Sequence, residues 1–262
     1  MDLNLTGKKA LVCGSSQGMG KSIAIELANL GASVTLFARN ATTLNDVKSL
    51  LATDNDQQHH VITADFSDPV DVKQAIDKHL ESGIEFNILI NNTGGPAPGP
   101  ANVATADAFL AAFNQHLINN HNLAQALLPG MKAAGYGRII NVISTSVKQP
   151  LPNLGVSNTV RGAVANWAKT MANELGQFNI TVNNVLPGAT NTGRLDAILE
   201  NKAKKQGKTV EQVSEEEKSI IPMRRFGESE EFANAVAFLA SPSAGYITGV
   251  NLPVDGGRTT CL

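Results

Sequence analysis

Cysteine is nearly missing from this 262-residue chain, with Cys13 and Cys261 alone near its two ends. Two thiols so placed make neither a disulfide framework nor a metal-ligand cluster. Aromatic residues are also few, at 5%, with one Trp and two Tyr. Neither sign of charge dominates: 21 Lys and Arg face 23 Asp and Glu, for a net charge of -2. That balance gives no electrostatic reason for a nucleic acid or an anionic membrane as partner. No apolar run nears the roughly 18 residues of a membrane span. Met1 to Lys9 is polar and lacks the apolar stretch of a secretory signal. These absences leave a cytoplasmic protein that handles a small molecule. What is plentiful is apolar, since hydrophobic residues make up 42%, enough for a sizeable core.

Short apolar, partly β-branched runs recur at Lys9–Cys13, Ser33–Phe37, His60–Thr63, Asn87–Ile90, Arg138–Ile143 and Thr181–Leu186. Each reads as a buried strand, and a last one is expected near Val250–Val254. Between them lie helical patterns, the clearest being Val156, Val160, Val164, Trp167, Met171 and Leu175. Such alternation predicts an α/β fold: one domain over residues 1–262, with a doubly wound (Rossmann) parallel sheet of about seven strands and helices on both faces. Thr192 to Lys218 departs from the pattern, being rich in Lys, Glu and Gln without a strand signal. It is expected to form a helical insertion near residues 190–226. Loops at the strand C-termini border the binding crevice of such sheets, so this insertion reads as a substrate cover. A plain solvated helical face is the alternative.

The first strand runs into Gly14-Ser15-Ser16-Gln17-Gly18-Met19-Gly20 and then a helical pattern. Glycines in that setting permit a tight turn and let backbone N–H groups reach a pyrophosphate at the helix N-terminus. Gly14, Ser16, Gln17, Gly18, Met19 and Gly20 are therefore candidate dinucleotide ligands. The second strand ends at Arg39-Asn40, where an acidic residue commonly holds the ribose hydroxyls of NAD. A guanidinium suits a 2′-phosphate instead, so NADP(H) is the expected cofactor, with NAD(H) left open.

The spacing Gly-x-x-x-Gly-x-Gly resembles that of the short-chain dehydrogenase/reductase family, and the resemblance spans nearly the whole chain. Ala64-Asp65-Phe66 is similar to the family's adenine-contacting segment, and Asn91-Asn92-Thr93-Gly94 resembles its Asn-Asn-Ala-Gly motif. Pro187-Gly188-Ala189-Thr190-Asn191-Thr192 is similar to its Pro-Gly segment, whose Thr meets the nicotinamide end. Val254-Asp255-Gly256-Gly257 resembles its C-terminal signature. The resemblance thus adds Asp65, Phe66, Asn91, Asn92, Gly94, Pro187, Gly188 and Thr192 to the expected cofactor site. It also implies hydride transfer between nicotinamide and a small carbonyl or alcohol, and a homo-oligomer, dimer or tetramer, paired through long helices.

The family's catalytic set is Asn-Ser-Tyr-Lys, and only one position matches. Ser144 stands where the substrate-orienting Ser belongs. In Ser157-Asn158-Thr159-Val160-Arg161, Ser157 takes the place of the proton-carrying Tyr and Arg161 that of the ribose-holding Lys. His116 falls near the Asn position. A Ser hydroxyl is far less acidic than a phenol, and Arg does not release its proton, so the usual relay is broken. Tyr136 is expected at the wrong end of the sheet and Tyr246 in a structural segment. Lys148 or His116 is expected to supply the proton, with Ser144 positioning the oxygen. A solvated lysine and a packed helix histidine are the plain alternatives. The segment Ser146–Asn158 resembles a β-ketoacyl-carrier-protein-reductase-like branch with a modified active site. An NADP(H)-dependent oxidoreductase of 3-oxoacyl-reductase type is the leading expectation. A regulatory nucleotide-binding pseudoenzyme and a non-redox lyase or isomerase remain beside it.

Overall fold

Uninterrupted runs of Val, Ile, Leu and Ala cannot be half solvated, and in the computed structural model, which describes residues 1–261, they form the interior of one sheet. Its strands are β1 (Lys9–Cys13), β2 (Ser33–Ala38), β3 (His60–Thr63), β4 (Ile88–Asn91), β5 (Gly137–Val142), β6 (Ile180–Pro187) and β7 (Asn251–Val254). All neighbours pair in parallel, in the order β3-β2-β1-β4-β5-β6-β7. The strands match the sequence expectation to within a residue or so at each end. The order reverses between β1 and β4, and at that switch point the strand C-termini open a crevice.

Helices cover both faces. They are α1 (Gly18–Asn29), α2 (Ala41–Lys48), α3 (Pro69–Leu80), α4 (Ala106–Phe113), α5 (Asn119–Ala133), α6 (Gly155–Leu175), α7 (Gly193–Gln206), α8 (Val210–Ser219) and α9 (Ser229–Ala240). Successive strand residues point to opposite faces, so Val12 and Leu36 pack with Ile23, Leu27, Phe232 and Val236 of α1 and α9. Leu11 and Phe37 instead pack with Val72, Ile76, Leu123 and Met171 of α3, α5 and α6. Among the described residues no helix is long and apolar enough to cross a membrane.

Two features position the site. The first is a ladder of asparagines in register across four strands. Asn91 Nδ2 donates to Asn141 Oδ1 (2.9 Å), Asn141 Nδ2 to Asn184 Oδ1 (2.9 Å), and Asn184 Nδ2 to Asn251 Oδ1 (2.8 Å). Each amide donates in the same direction, so the bonds reinforce one another inside the sheet.

The second is the excursion between β6 and α9. Thr190 and Gly227 form an isolated bridge; Asn191 N donates to Gly227 O (2.8 Å) and Gly227 N to Ala189 O (2.9 Å). Between these tied ends α7 and α8 pack on each other through Leu199, Ala203, Val213, Ile221 and Phe226. Thr209 and Gln212 form a reciprocal capping box at the start of α8. Glu217 of α8 pairs with Lys202 of α7 and with Arg258 beyond β7 (3.2 Å). The expected helical insertion is therefore two ordered helices with a core of their own.

Candidate active site

β1 delivers the chain into a turn that only glycine can make. Gly14 has φ +59°, and a Cβ there would lie 2.4 Å from Asn92 O. A Cβ on Gly20 would lie 2.2 Å from Gly14 O, so both positions must be bare for the loop to close on α1. Gln17, the N-cap of α1, makes no side-chain cap bond, which leaves the first-turn N–H groups for an anion. Ser16 and Met19 are half-buried on the same loop. Neighbouring Ser15 is buried, and its Oγ accepts from Phe37 N (3.0 Å), tying the loop to β2.

The loop after β6 closes the other side. Pro187 ends the strand, and Gly188 lies tightly against Asp255. Thr192, the N-cap of α7, reaches within 3.5 Å of where a Gly18 Cβ would stand. At the far end Arg39 is exposed and has no ion pair among the described residues. It is close enough to Asp65 to help hold that carboxyl low, after the larger effect of hydrogen bonds from Ser67. These residues fit a phosphorylated dinucleotide: bare helix N–H groups for the pyrophosphate, and a free guanidinium beside the adenosine end.

Four expected ligands have their side chains engaged elsewhere. Asn91 is buried with its Nδ2 spent on the amide ladder, while its Oδ1 is buried without a partner. Asn92 Nδ2 donates to the carbonyls of Cys13 (3.3 Å) and Gly14 (3.2 Å), so it shapes the glycine turn from behind. Phe66 packs edge-on against Phe37 (4.9 Å) in the core, and its carbonyl accepts from Asn119 Nδ2 (2.7 Å). Asn40 caps α2, accepting from Thr43 N (3.1 Å). Gly94 is exposed and its carbonyl accepts from Gln115 Nε2 (3.2 Å).

At the catalytic end Ser144 follows β5, and its Oγ accepts from Ser146 N (3.0 Å). Its hydroxyl hydrogen stays free to donate to a substrate oxygen. Ser157 and Arg161 lie one turn apart on α6. Ser157 is half-buried and hydrogen-bonds to no described side chain or backbone group. Arg161 is buried, and its Nη1 donates to Val142 O (3.1 Å). Burial, and then the charge of Arg194, lower its pKa to about 10. Lys148 is half-buried on the short turn after Ser144.

His116 sits in a π turn (Asn114–Ile118) that joins α4 to α5, a device that re-aims side chains at functional sites. Its Nδ1 is 2.7 Å from Thr93 Oγ1, and Nε2 is buried without a partner. The expectation that His116 titrates in the useful range does not hold. Burial, then Arg161 and Arg194, push its pKa down to about 2, so it stays neutral. Tyr136 is at the start of β5 with its OH donating to Ala240 O (2.7 Å), and Tyr246 is fully exposed. Sequence reasoning missed Arg194, whose guanidinium covers Gly95: a Cβ on that glycine would lie 2.8 Å from Nη2. The one available signal was a cation in the first turn of a helix, against the helix dipole.

The enoyl-(acyl carrier protein) reductase family model matches residues 14–259. The chain belongs to the short-chain dehydrogenase/reductase family. It is 34% identical over 255 residues to the NADPH-dependent reductase BacG of Bacillus subtilis (strain 168), covering 97% of this chain and 98% of BacG. It is 33% identical over 260 residues to the 3-oxoacyl-(acyl-carrier-protein) reductase FabG of Pseudomonas aeruginosa, covering 97% and 98%. The L-sorbose reductase of Gluconobacter frateurii, solved with NADPH and L-sorbose, superposes with a TM-score of 0.93 at 30% identity over 100% of both chains. This short-chain dehydrogenase/reductase therefore has the family's Rossmann-like fold, a seven-stranded parallel sheet with helices on both faces.

Proposed function

We propose that this chain is an NADP(H)-dependent reductase of small carbonyl compounds, akin to 3-oxoacyl reductases, with NAD(H) a weaker cofactor. The observation that carries this reading is Arg39, a free guanidinium at the end of β2 beside a glycine loop with unoccupied helix N–H groups. Similarity to an NADPH-dependent reductase over nearly the whole chain supports it.

When bound, NADPH supplies a hydride to the carbonyl carbon. Ser144 donates its hydroxyl hydrogen to the carbonyl oxygen and fixes its place. Ser157 offers a second hydroxyl one turn before Arg161. Arg161 replaces the family lysine as the group that holds the nicotinamide ribose, and being always charged it moves no proton. The alkoxide oxygen needs one proton, and Lys148 provides it. His116 does not, because it stays neutral, and a neutral imidazole N–H is a very weak acid. The α7–α8 excursion serves as the substrate cover, and residues 1–262 act as one domain, paired into a homo-oligomer through α4, α5 and α6.

Fluorescence titration with NADPH and NADH, followed by NADPH consumption with a panel of ketones, tests the reading. NADPH is expected to bind tighter than NADH. Arg39→Ala should remove about 1.5–3 kcal/mol of that preference, the worth of a hydrogen bond to a charged group. Lys148→Met should lower turnover and leave NADPH affinity unchanged. Binding with no consumption of any carbonyl would favour a nucleotide-binding pseudoenzyme, the reading that Ser157 and Arg161 in place of Tyr and Lys would support. Substrate change without NADPH loss would favour a lyase or isomerase.

A further inference from the structure

We propose that residues 256–261 strap the α7–α8 excursion to the turn that carries Lys148, which makes Arg258, Thr260 and Gln149 positioning residues for the proton donor. The inference rests on the reading of Lys148 above and deepens it. A lysine reaches a reacting oxygen on four flexible carbons, so its accuracy depends on how firmly its backbone is held. The turn itself is short. Val147 N donates to Ser144 O (3.3 Å), Lys148 N to Thr145 O (3.0 Å) and Gln149 N to Thr145 O (3.2 Å). Pro150 follows and has no N–H, so these bonds end at Gln149. A second support comes from residues 111 and 113 positions further along the chain. Thr260 Oγ1 donates to Gln149 Oε1 (3.0 Å), Thr260 N to the same oxygen (3.4 Å), and Cys261 Sγ to Lys148 O (3.5 Å).

The other end of the strap is seated on the excursion. After β7, Gly256 (φ +63°) and Gly257 (φ +85°) turn the chain back. They also let it lie close to the residues that follow α8. A Cβ on Gly256 would stand 2.8 Å from Ile221 Cγ2, and one on Gly257 3.1 Å from Pro222 Cγ. Asp255 closes the turn, its carboxylate accepting from Gly257 N (2.9 Å) and Thr259 N (2.8 Å). Met223 N donates to Gly256 O (3.2 Å), and Arg258 Nη2 to Glu217 Oε2 of α8 (3.2 Å). The side chains of Arg258 and Glu217 are 33% and 16% exposed, against 40% and 50% for the surface pair Lys208–Glu216, so solvent screens the strap's ion pair less. Direct contacts thus run from α8 to Arg258, along two residues of chain to Thr260, and from there to Gln149 and Lys148. The excursion is the proposed substrate cover, so the strap sets the proton donor against the cover as well as against β5.

Two measurements on the full chain test the strap. Hydrogen–deuterium exchange without ligand reads it directly. In Thr260→Val and in Arg258→Met the amides of residues 147–149 are expected to exchange about three- to tenfold faster than in the native chain, the range set by losing one such bond. The double variant should fall short of the product of the two effects, since both changes cut one strap. Thr260→Ser keeps the hydroxyl and should restore the native rate. Lys202→Met removes the other partner of Glu217 and should leave these amides unchanged. The second measurement is NADPH consumption with the ketone that the panel above selects. Thr260→Val and Arg258→Met should lower kcat about three- to tenfold and leave KM for NADPH and ketone within about twofold, the split expected when the donor is misplaced and binding is not. Unchanged exchange in both variants overturns the proposal, and so does a rise in KM with kcat unchanged. Faster exchange in Lys202→Met also overturns it, by tracing the effect to a loosened excursion. Full turnover in Lys148→Met, or a native chain that consumes no ketone, removes the proton-donor reading instead, and exchange in the free chain still judges the strap.

Discussion

His116 is a base held where it cannot take a proton, and that has a consequence at the scale of one residue. Its ordinary pKa is 6.5 and the fold pushes it to about 2. Below pH 6.5 the unfolded chain therefore binds a proton that the folded chain refuses until about pH 2. Stability that is full above pH 6.5 is lost as the pH falls through that window, at about 1.4 kcal/mol per pH unit for one proton. His60 and His79 are lowered as well, so the native chain has a background slope of the same sign. His116→Gln should make the acid slope shallower by one proton's worth in urea denaturation between pH 6.5 and about 5. An unchanged slope would mean that His116 titrates normally. This residue also marks the limit of reading positions from a motif. Its alignment with the family's Asn could be counted along the chain, whereas its neutrality depends first on burial and then on the charges of Arg161 and Arg194, which only the folded chain brings to it. The place of Asn91 in the ladder was hidden for a similar reason: its partner lies 50 residues away, and only strand register brings them together.

At the scale of elements, the amide ladder ties β4, β5, β6 and β7 into one rigid floor beneath the catalytic end. Asn141 holds its centre, donating to Asn184 and accepting from Asn91. Asn141→Leu keeps the volume and leaves two buried amide groups without partners, at about 1–3 kcal/mol each. A loss of about 2–4 kcal/mol in unfolding free energy is expected, read as a lower urea midpoint with little change in slope. A loss below about 1 kcal/mol would show that the links do not support one another. The strands themselves were legible because a buried parallel strand needs an uninterrupted apolar run, and few other segments of this chain have one. The ladder was not, since asparagine inside such a run reads only as an exception until its neighbour strands are known. The π turn was equally hidden, because one extra residue in a helical turn leaves the apolar spacing almost unchanged.

At the scale of the whole molecule, two large apolar side chains on α4 lack cover: Leu110 is 61% exposed and Phe113 38%. The proposed pairing through α4, α5 and α6 would bury them against a second copy. Light scattering on the native chain is expected to give a dimer or tetramer. Leu110→Glu with Phe113→Glu should give monomers of unchanged circular dichroism. A native monomer would remove the pairing. The α7–α8 excursion behaves differently from these helices, because it is tied at its neck by the bridge between Thr190 and Gly227 and braced by the Glu217–Arg258 and Arg225–Glu231 pairs and the bond from Met223 N to Gly256 O (3.2 Å). The entropy of closing that long loop is met at the neck, whatever lies within it, and depends only weakly on length. Thr190 and Gly227 are thus natural splice points. A segment from a relative with another appetite can be transplanted between them, provided that it keeps Thr192 against the glycine loop and the bond from Met223 to Gly256.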